Sequence, residues 1–219
     1  MSIIKDEAKL EIIVGPMKSG KSFYMITEVE RFRYTNLYNV KVFKPLSDKR
    51  DDSLKSRTGL TIPSIQVQNI EQVYEECENE HHDIVGIDEF HLFNIGNPEV
   101  FENYVAKILK NNKNTRFIMS GLDRDYRGEL MANYLALLRL PHTKIKTLNA
   151  ICETCNKDTG RFTSIQVGGI PLNSGLEQAL SEEHDSERVY SVHCKECFDI
   201  LQRRAKSYDE IMKELKYKE

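Results

Sequence analysis

Three groups of side chains in this 219-residue sequence have types and spacings that can do chemistry. The first is Gly15-Pro16-Met17-Lys18-Ser19-Gly20-Lys21-Ser22, a glycine, four residues, then Gly-Lys-Ser, directly after the apolar run Leu10-Glu11-Ile12-Ile13-Val14. Small residues let successive backbone N–H groups curl around phosphate oxygens, and a helix that follows points its amino end at them. Lys21 has the reach for β/γ-phosphates, and the Ser22 hydroxyl is suited to Mg²⁺. The second group is Asp88-Glu89, at the end of Ile84-Val85-Gly86-Ile87. An acidic residue at the end of an apolar strand is where a Mg²⁺-organising carboxylate belongs, so Asp88 is expected to order the metal's shell through water. Neighbouring strand residues face opposite ways, which gives Glu89 a separate task, toward whatever attacks the γ-phosphate. A water attacker makes an ATPase and a substrate hydroxyl makes a kinase; the pair alone does not choose. The third group is Cys152-Glu153-Thr154-Cys155 with Cys194-Lys195-Glu196-Cys197. Two CxxC turns supply four thiolates for a closed tetrahedral Zn²⁺ site, structural because no coordination position is left open. Redox pairing of these cysteines is the weaker alternative, and Cys77 stands apart from them.

The elements that must position these groups follow from periodicity. Short apolar runs predict strands at Leu10–Val14, Val40–Phe43, Ile62–Val67, Asp83–Ile87, Thr115–Ser120 and Lys144–Leu148, alternating with helices at Ser22–Tyr34, Ile70–Glu80, Pro98–Lys110 and Glu129–Leu138. This is the pattern of an α/β protein with a mostly parallel, P-loop NTPase-type sheet flanked by helices. A nucleotide-binding domain is expected over 1–150 and a small zinc-binding domain over 151–198. A charged, helical, loosely packed tail is expected over 199–219. Little between the cysteine pairs looks able to build a core, so zinc is expected to supply much of that piece's folding energy. Lys and Arg total 31 against 34 Asp and Glu, a net charge of −3 that provides no field for recruiting nucleic acid. No stretch approaches a membrane span, and the polar start Met1-Ser2-Ile3-Ile4-Lys5 is unlike a signal peptide, so a cytoplasmic protein is expected.

Further stretches extend the pattern: Phe43-Lys44-Pro45 with Asp48-Lys49-Arg50, Ser56-Arg57-Thr58-Gly59, Ile87-Asp88-Glu89, Gly121-Leu122-Asp123-Arg124-Asp125-Tyr126-Arg127-Gly128, Gly168-Gly169 and Tyr190. Together with the phosphate loop and the cysteine pairs, in this order, the chain resembles the two-domain, zinc-containing thymidine kinases (type II, cellular TK1-like), which carry a small "lasso" domain. The resemblance implies an enzyme that transfers the γ-phosphate of ATP to the 5′-hydroxyl of thymidine or deoxyuridine, in pyrimidine deoxynucleotide salvage. It implies Glu89 as general base and a nucleoside site drawn from Met17, Phe90, Leu130, Met131, Gln166, Val167, Gly168, Gly169 and Tyr190. Asp48, Arg50 and Arg57, with Arg127, would then lie near the transferred phosphoryl group. It also implies ATP, Mg²⁺ and structural Zn²⁺ as cofactors, a homotetramer and feedback inhibition by dTTP, with no nucleic-acid or membrane partner. The sequence departs from that family where Glu129-Leu130-Met131 replaces the usual Pro-Phe, where His91-Leu92 replaces Gln-Phe, and in the long polar segment Ile170–Val189. Met131 fills the volume of the missing phenylalanine without its stacking face.

Two other classes compete. A nucleic-acid-dependent P-loop ATPase with a zinc ribbon predicts a basic surface, which the net charge of −3 opposes. A regulatory nucleotide binder without catalysis has no need of Glu89 beside Asp88.

Overall fold

Residues 10–48, 54–56, 59–141, 143–176 and 188–216 are described by a computed structural model. In chain order the elements are β1 (Leu10–Val14), α1 (Lys21–Arg33), β2 (Val40–Pro45), β3 (Leu54–Lys55), β4 (Thr61–Ile62), β5 (Ile65–Val67), α2 (Ile70–Asn79), β6 (Ile84–Ile87), a 3₁₀ turn (Phe90–Leu92), α3 (Pro98–Asn111), β7 (Arg116–Gly121), α4 (Ala132–Leu138) and β8 (Thr143–Thr147). There follow β9 (Phe162–Val167), β10 (Ile170–Ser174), β11 (Arg188–His193), α5 (Lys195–Gln202), β12 (Lys206–Ser207) and α6 (Tyr208–Lys216).

Six strands form a sheet in the order β5-β2-β6-β7-β1-β8, parallel at every pairing. Period-2 alternation sends Leu10, Ile12, Val14, Phe43, Val85, Ile87, Phe117 and Met119 to one face, where α2, α3 and α4 cover them. Ile13, Val42, Ile84 and Ile118 go to the other, under Met25, Ile26 and Val29 of α1. Both faces are buried, which is why the strands read as continuous apolar runs. Helix starts are marked by Asn69, whose side chain accepts the Gln72 N–H, and by Pro98 in the first turn of α3.

Two expected elements differ. The run Ile62–Val67 breaks into β4, paired with β3, and β5, paired with β2; Pro63 lies between them and has no N–H to give a ladder. The helix expected from Glu129 begins only at Ala132, because the preceding residues close a loop. In that loop the Asp125 N–H donates to the Glu129 carbonyl and the Met131 N–H to that of Asp123.

The second sheet has the order β11-β9-β10-β12. It has a core of its own: Tyr126, Ile165, Val167, Leu172 and Ile211 are buried together, with Tyr190, Tyr208, Met212 and Leu215 against them. The C-terminal segment is therefore not one loosely held helix. Its α6 delivers Ile211 to this core, and β12 pairs in parallel with β10. The expectation that little here builds a core is corrected: the sheet has a hydrophobic core besides its cysteines.

Candidate active site

The carboxyl ends of parallel strands are where ligands gather in such sheets, and three of them converge here. After β1 the backbone turns through Gly15, where a Cβ would lie 2.5 Å from the Leu148 carbonyl oxygen and 2.7 Å from Ser19 Oγ, so no side chain fits. Gly20, at φ 82°, then starts α1. Lys21 is buried and its Nζ donates to the Pro16 carbonyl at 2.8 Å; Ser19 Oγ donates to the same oxygen at 2.8 Å. After β6, Asp88 is wholly buried and accepts the Ser22 hydroxyl at 3.0 Å. Its other oxygen accepts Ser120 Oγ, from β7 between the two strands. Two hard-oxygen groups 66 positions apart in sequence thus meet at the head of α1, a donor set that fits Mg²⁺.

Strand alternation does not place Glu89, because β6 ends at Ile87. Glu89 instead adopts a left-handed conformation, φ 48°, at the start of the 3₁₀ turn, so the backbone leaves the strand's course at this residue. Its carboxylate lies 3.4 Å from His91 Nδ1, which also accepts the Leu122 N–H at 3.2 Å. The strand end of β2 contributes Lys44, wholly buried, donating to the Asp48 carbonyl at 3.3 Å. Asp48 is itself buried; Arg50 and Arg57 lie outside the described residues.

Beside the phosphate loop, Met17 packs with Leu92, Leu122, Met131 and Tyr134 in a small apolar cluster. Leu130 is half-buried in the adjoining loop. Phe90 is not part of that cluster: it is fully buried in the core of the six-stranded sheet, its ring filling the space that a Cβ on Gly121 would occupy. Gln166 to Gly169 are not brought to Met17 either. Gly168 and Gly169, at φ 56° and 78°, form the two-residue turn of the β9–β10 hairpin, and Gly168 faces Leu215 of α6. That tip is about 15 Å along β9 from Thr163, the residue that does touch Met17. Tyr190 packs its ring into the core of the second sheet. Arg127 is engaged by Asp125 at 2.7 Å and Glu129 at 3.0 Å, which hold its guanidinium in a surface cluster.

A seam of polar bonds joins the second sheet to the first. The Met17 N–H donates to Thr163 Oγ1 at 3.0 Å. Lys18 Nζ donates to Glu153 Oε1 at 2.7 Å and to the Tyr190 carbonyl at 3.0 Å. Arg161 donates to Asp123 at 2.5 Å and to the Leu148 carbonyl at 2.9 Å. Phe162 stacks on Phe198 with Arg124 over its ring. Thr163, Arg161 and Tyr134 have no local sequence signal for these roles, since each acquires its place only when distant segments meet; Leu122 lies in the Gly121–Gly128 stretch and Ser120 at the end of an expected strand, without their partners being legible.

The four cysteines Cys152, Cys155, Cys194 and Cys197 come together, their sulfurs all within 4.8 Å of one another. Cys155 and Cys194 sulfurs are 3.9 Å apart, close to the ~3.8 Å edge of a tetrahedron with Zn–S bonds of about 2.3 Å. Although burial opposes it, N–H groups of Cys194, Cys155 and Thr154 hold the Cys152 thiol down at about 6, as a metal-binding thiolate requires. All five cysteines of the chain are free of disulfides. The donor set fits a structural Zn²⁺. Behind it, His193 Nδ1 contacts Thr154 Oγ1 at 3.0 Å and Nε2 contacts Ser164 and Ser191, fixing the turn to β9 and β11.

A family model described as "Thymidine kinase" matches residues 8–198. The chain belongs to the thymidine kinase family. Curated relatives agree with this. A thymidine kinase of Ureaplasma urealyticum is 35% identical over 154 residues, 68% of this chain and 66% of that protein's length. Thymidine kinases of Mycoplasmoides gallisepticum and Mesoplasma florum are each 29% identical, over 85% and 87% of this chain and 79% and 91% of their own. Among solved structures, a Pif1 helicase from Candida albicans aligns at 13% identity and a TM-score of 0.38, over 66% of this chain and 37% of that one. The thymidine kinase match runs through the phosphate loop, Asp88-Glu89 and both cysteine pairs, so the family assignment and the clustered geometry concern the same residues. Among the described residues no helix is long and apolar enough to cross a membrane.

Proposed function

We propose that the chain uses a P-loop NTPase-type core to transfer the γ-phosphate of ATP to the 5′-hydroxyl of thymidine or deoxyuridine. The observation that carries this reading is the hydrogen bond of Ser22, at the head of α1, to Asp88, directly after β6, with Glu89 the next residue in the chain, in a member of the thymidine kinase family. The backbone of Gly15 to Ser22 holds the phosphates, and Lys21 exchanges the Pro16 carbonyl for phosphate oxygens. Ser22 and Asp88 hold Mg²⁺, which neutralises charge on the transferring group when bound. Glu89 takes the proton of the 5′-hydroxyl as that oxygen attacks phosphorus; a carboxylate suffices, because the loose transition state needs positioning more than a strong base. Met17, Leu122, Met131 and Tyr134 wall the base. Asp48, with Arg50 and Arg57, serves the phosphoryl group. Cys152, Cys155, Cys194 and Cys197 hold a structural Zn²⁺ that keeps the β9–β11 lobe, a domain distinct from the nucleotide-binding core, seated beside the acceptor. A cytoplasmic homotetramer inhibited by dTTP is consistent with the family resemblance.

The test supplies ATP-Mg²⁺ with each nucleoside in turn and follows formation of the 5′-monophosphate. Thymidine and deoxyuridine are expected to be substrates, and Glu89→Gln is expected to lower kcat at least a hundredfold, with the KM for ATP little changed. Absence of product with both, together with ATP hydrolysis stimulated by DNA, would overturn the reading.

A further inference from the structure

Lys18 occupies a phosphate loop yet sends its ammonium away from the loop's interior. Its backbone is left-handed, φ 61°, in a residue that has a Cβ, a conformation that costs energy and persists where other contacts hold it. The contacts are on the other side of the seam. Nζ donates to Glu153 Oε1 at 2.7 Å and to the backbone carbonyl of Tyr190 at 3.0 Å. Glu153 is itself fixed, because Oε1 also accepts the Val192 N–H at 2.9 Å and its own N–H donates to the Val192 carbonyl at 2.8 Å. The preceding residue makes the parallel connection, its N–H donating to Thr163 Oγ1 at 3.0 Å. Two consecutive loop residues therefore grip β9, β11 and the turn between Cys152 and Cys155.

We propose that Lys18 is a positioning residue that latches the acceptor lobe to the donor loop, and that its ammonium is not a phosphate ligand. The inference rests on the reading of the phosphate loop as donor site and the β9–β11 lobe as acceptor lid. Phosphoryl transfer needs the attacking oxygen near 3 Å from phosphorus and in line with the leaving group. A lobe free to rock relative to the loop loses that alignment, whereas ATP held by the loop's own N–H groups does not. Lys18 acts through Glu153 and the Tyr190 backbone, and its effect falls on the nucleoside side of the reaction.

The experiment compares wild type, Lys18→Met, Glu153→Gln, the double variant and Lys18→Arg as full-length zinc-loaded chains. The Lys18 and Glu153 side chains are 37% and 40% exposed, so the single variants are expected to lose about threefold to fivefold in kcat/KM for thymidine, with the KM for ATP within about twofold. The double variant should be no worse than either single one, and Lys18→Arg should recover most of the loss. Hydrogen exchange at residues 188–193 should quicken in Lys18→Met, a readout independent of turnover. A rise in the KM for ATP of tenfold or more would make Lys18 a phosphate ligand and overturn the latch. Losses that multiply in the double variant, or unchanged exchange at 188–193, would overturn it as well. If wild type turns over no thymidine, the functional reading fails, and the exchange measurement alone then decides whether the latch exists.

Discussion

Removal of the Arg161 guanidinium should unseat the two sheets, and the structure sets the size of the effect. The Asp123 side chain is 4% exposed; Oδ2 accepts Arg161 Nη2 at 2.5 Å, while Oδ1 is buried without a hydrogen-bond partner among the described residues. Arg161→Met thus leaves a buried carboxylate with Arg124, 3.8 Å away, as its remaining ion-pair partner among the described residues, and also frees the Leu148 carbonyl. Breaking a buried pair from one side costs about 3–5 kcal/mol. Arg161 is 24% exposed and Arg124 remains, so water and a second cation reduce this to about 2–3 kcal/mol. For a chain of this length that lowers the thermal midpoint by about 4–12 °C. The chain has no tryptophan, so far-ultraviolet circular dichroism of the zinc-loaded protein is the appropriate probe. Asp123→Asn removes the stranded charge, and the double variant should therefore melt higher than Arg161→Met alone, recovering at least half of the loss. A shift under 2 °C for Arg161→Met, or no recovery in the double variant, would refute the argument that this buried charge ties the sheets together.

Three further outcomes follow from single features. Purified protein should hold one zinc per chain by elemental analysis, and Cys155→Ser should lose it and quicken hydrogen exchange at 188–193; retention of zinc by that variant would remove the four-thiolate site. His82 is buried with no hydrogen-bond partner on either ring nitrogen among the described residues, and burial lowers its pKa below the ordinary 6.5, so the folded protein keeps it neutral. The unfolded chain takes up a proton there below pH 6.5, hence stability falls as pH drops through that value, by at most about 1.4 kcal/mol per unit. His82→Phe should flatten the slope of denaturation midpoint against pH between 6.5 and 5, and an unchanged slope would show that His82 is not the cause. Gly168→Ala puts a Cβ 2.8 Å from Leu215 Cδ2 at a φ of 56°, and should cost about 1–3 kcal/mol in unfolding measurements; an unaffected midpoint would mean that α6 is not packed on the hairpin tip.

What was legible in the sequence was chemistry that is complete within a few residues. A phosphate loop and a CxxC turn carry their geometry in consecutive positions, and strands buried on both faces announce themselves as apolar runs, so the six-stranded sheet and the four thiolates could be anticipated. The hydrophobic core of the second sheet could not. Its buried members are Tyr126, Ile165, Val167, Leu172 and Ile211, scattered through regions that each look too polar to fold. The Gly168-Gly169 pair was read through the resemblance as part of the nucleoside site, yet two glycines between alternating strands are also the local code for a hairpin turn, and the structure has that turn.

Glu89 and Lys18 show why even a recognised motif leaves its side-chain directions open. Alternation would have separated Asp88 from Glu89 had the strand continued, but the strand ends and a left-handed residue does the turning. Lys18 has the same backbone region, and its ammonium leaves the loop for a carboxylate 135 positions away. In both cases a non-glycine residue holds a conformation that side chains disfavour, Glu89 at the end of β6 and Lys18 at the seam between the two sheets. Motif spacing determines which residues arrive at the site. The direction in which each one points is decided by φ and by partners that only the folded chain supplies.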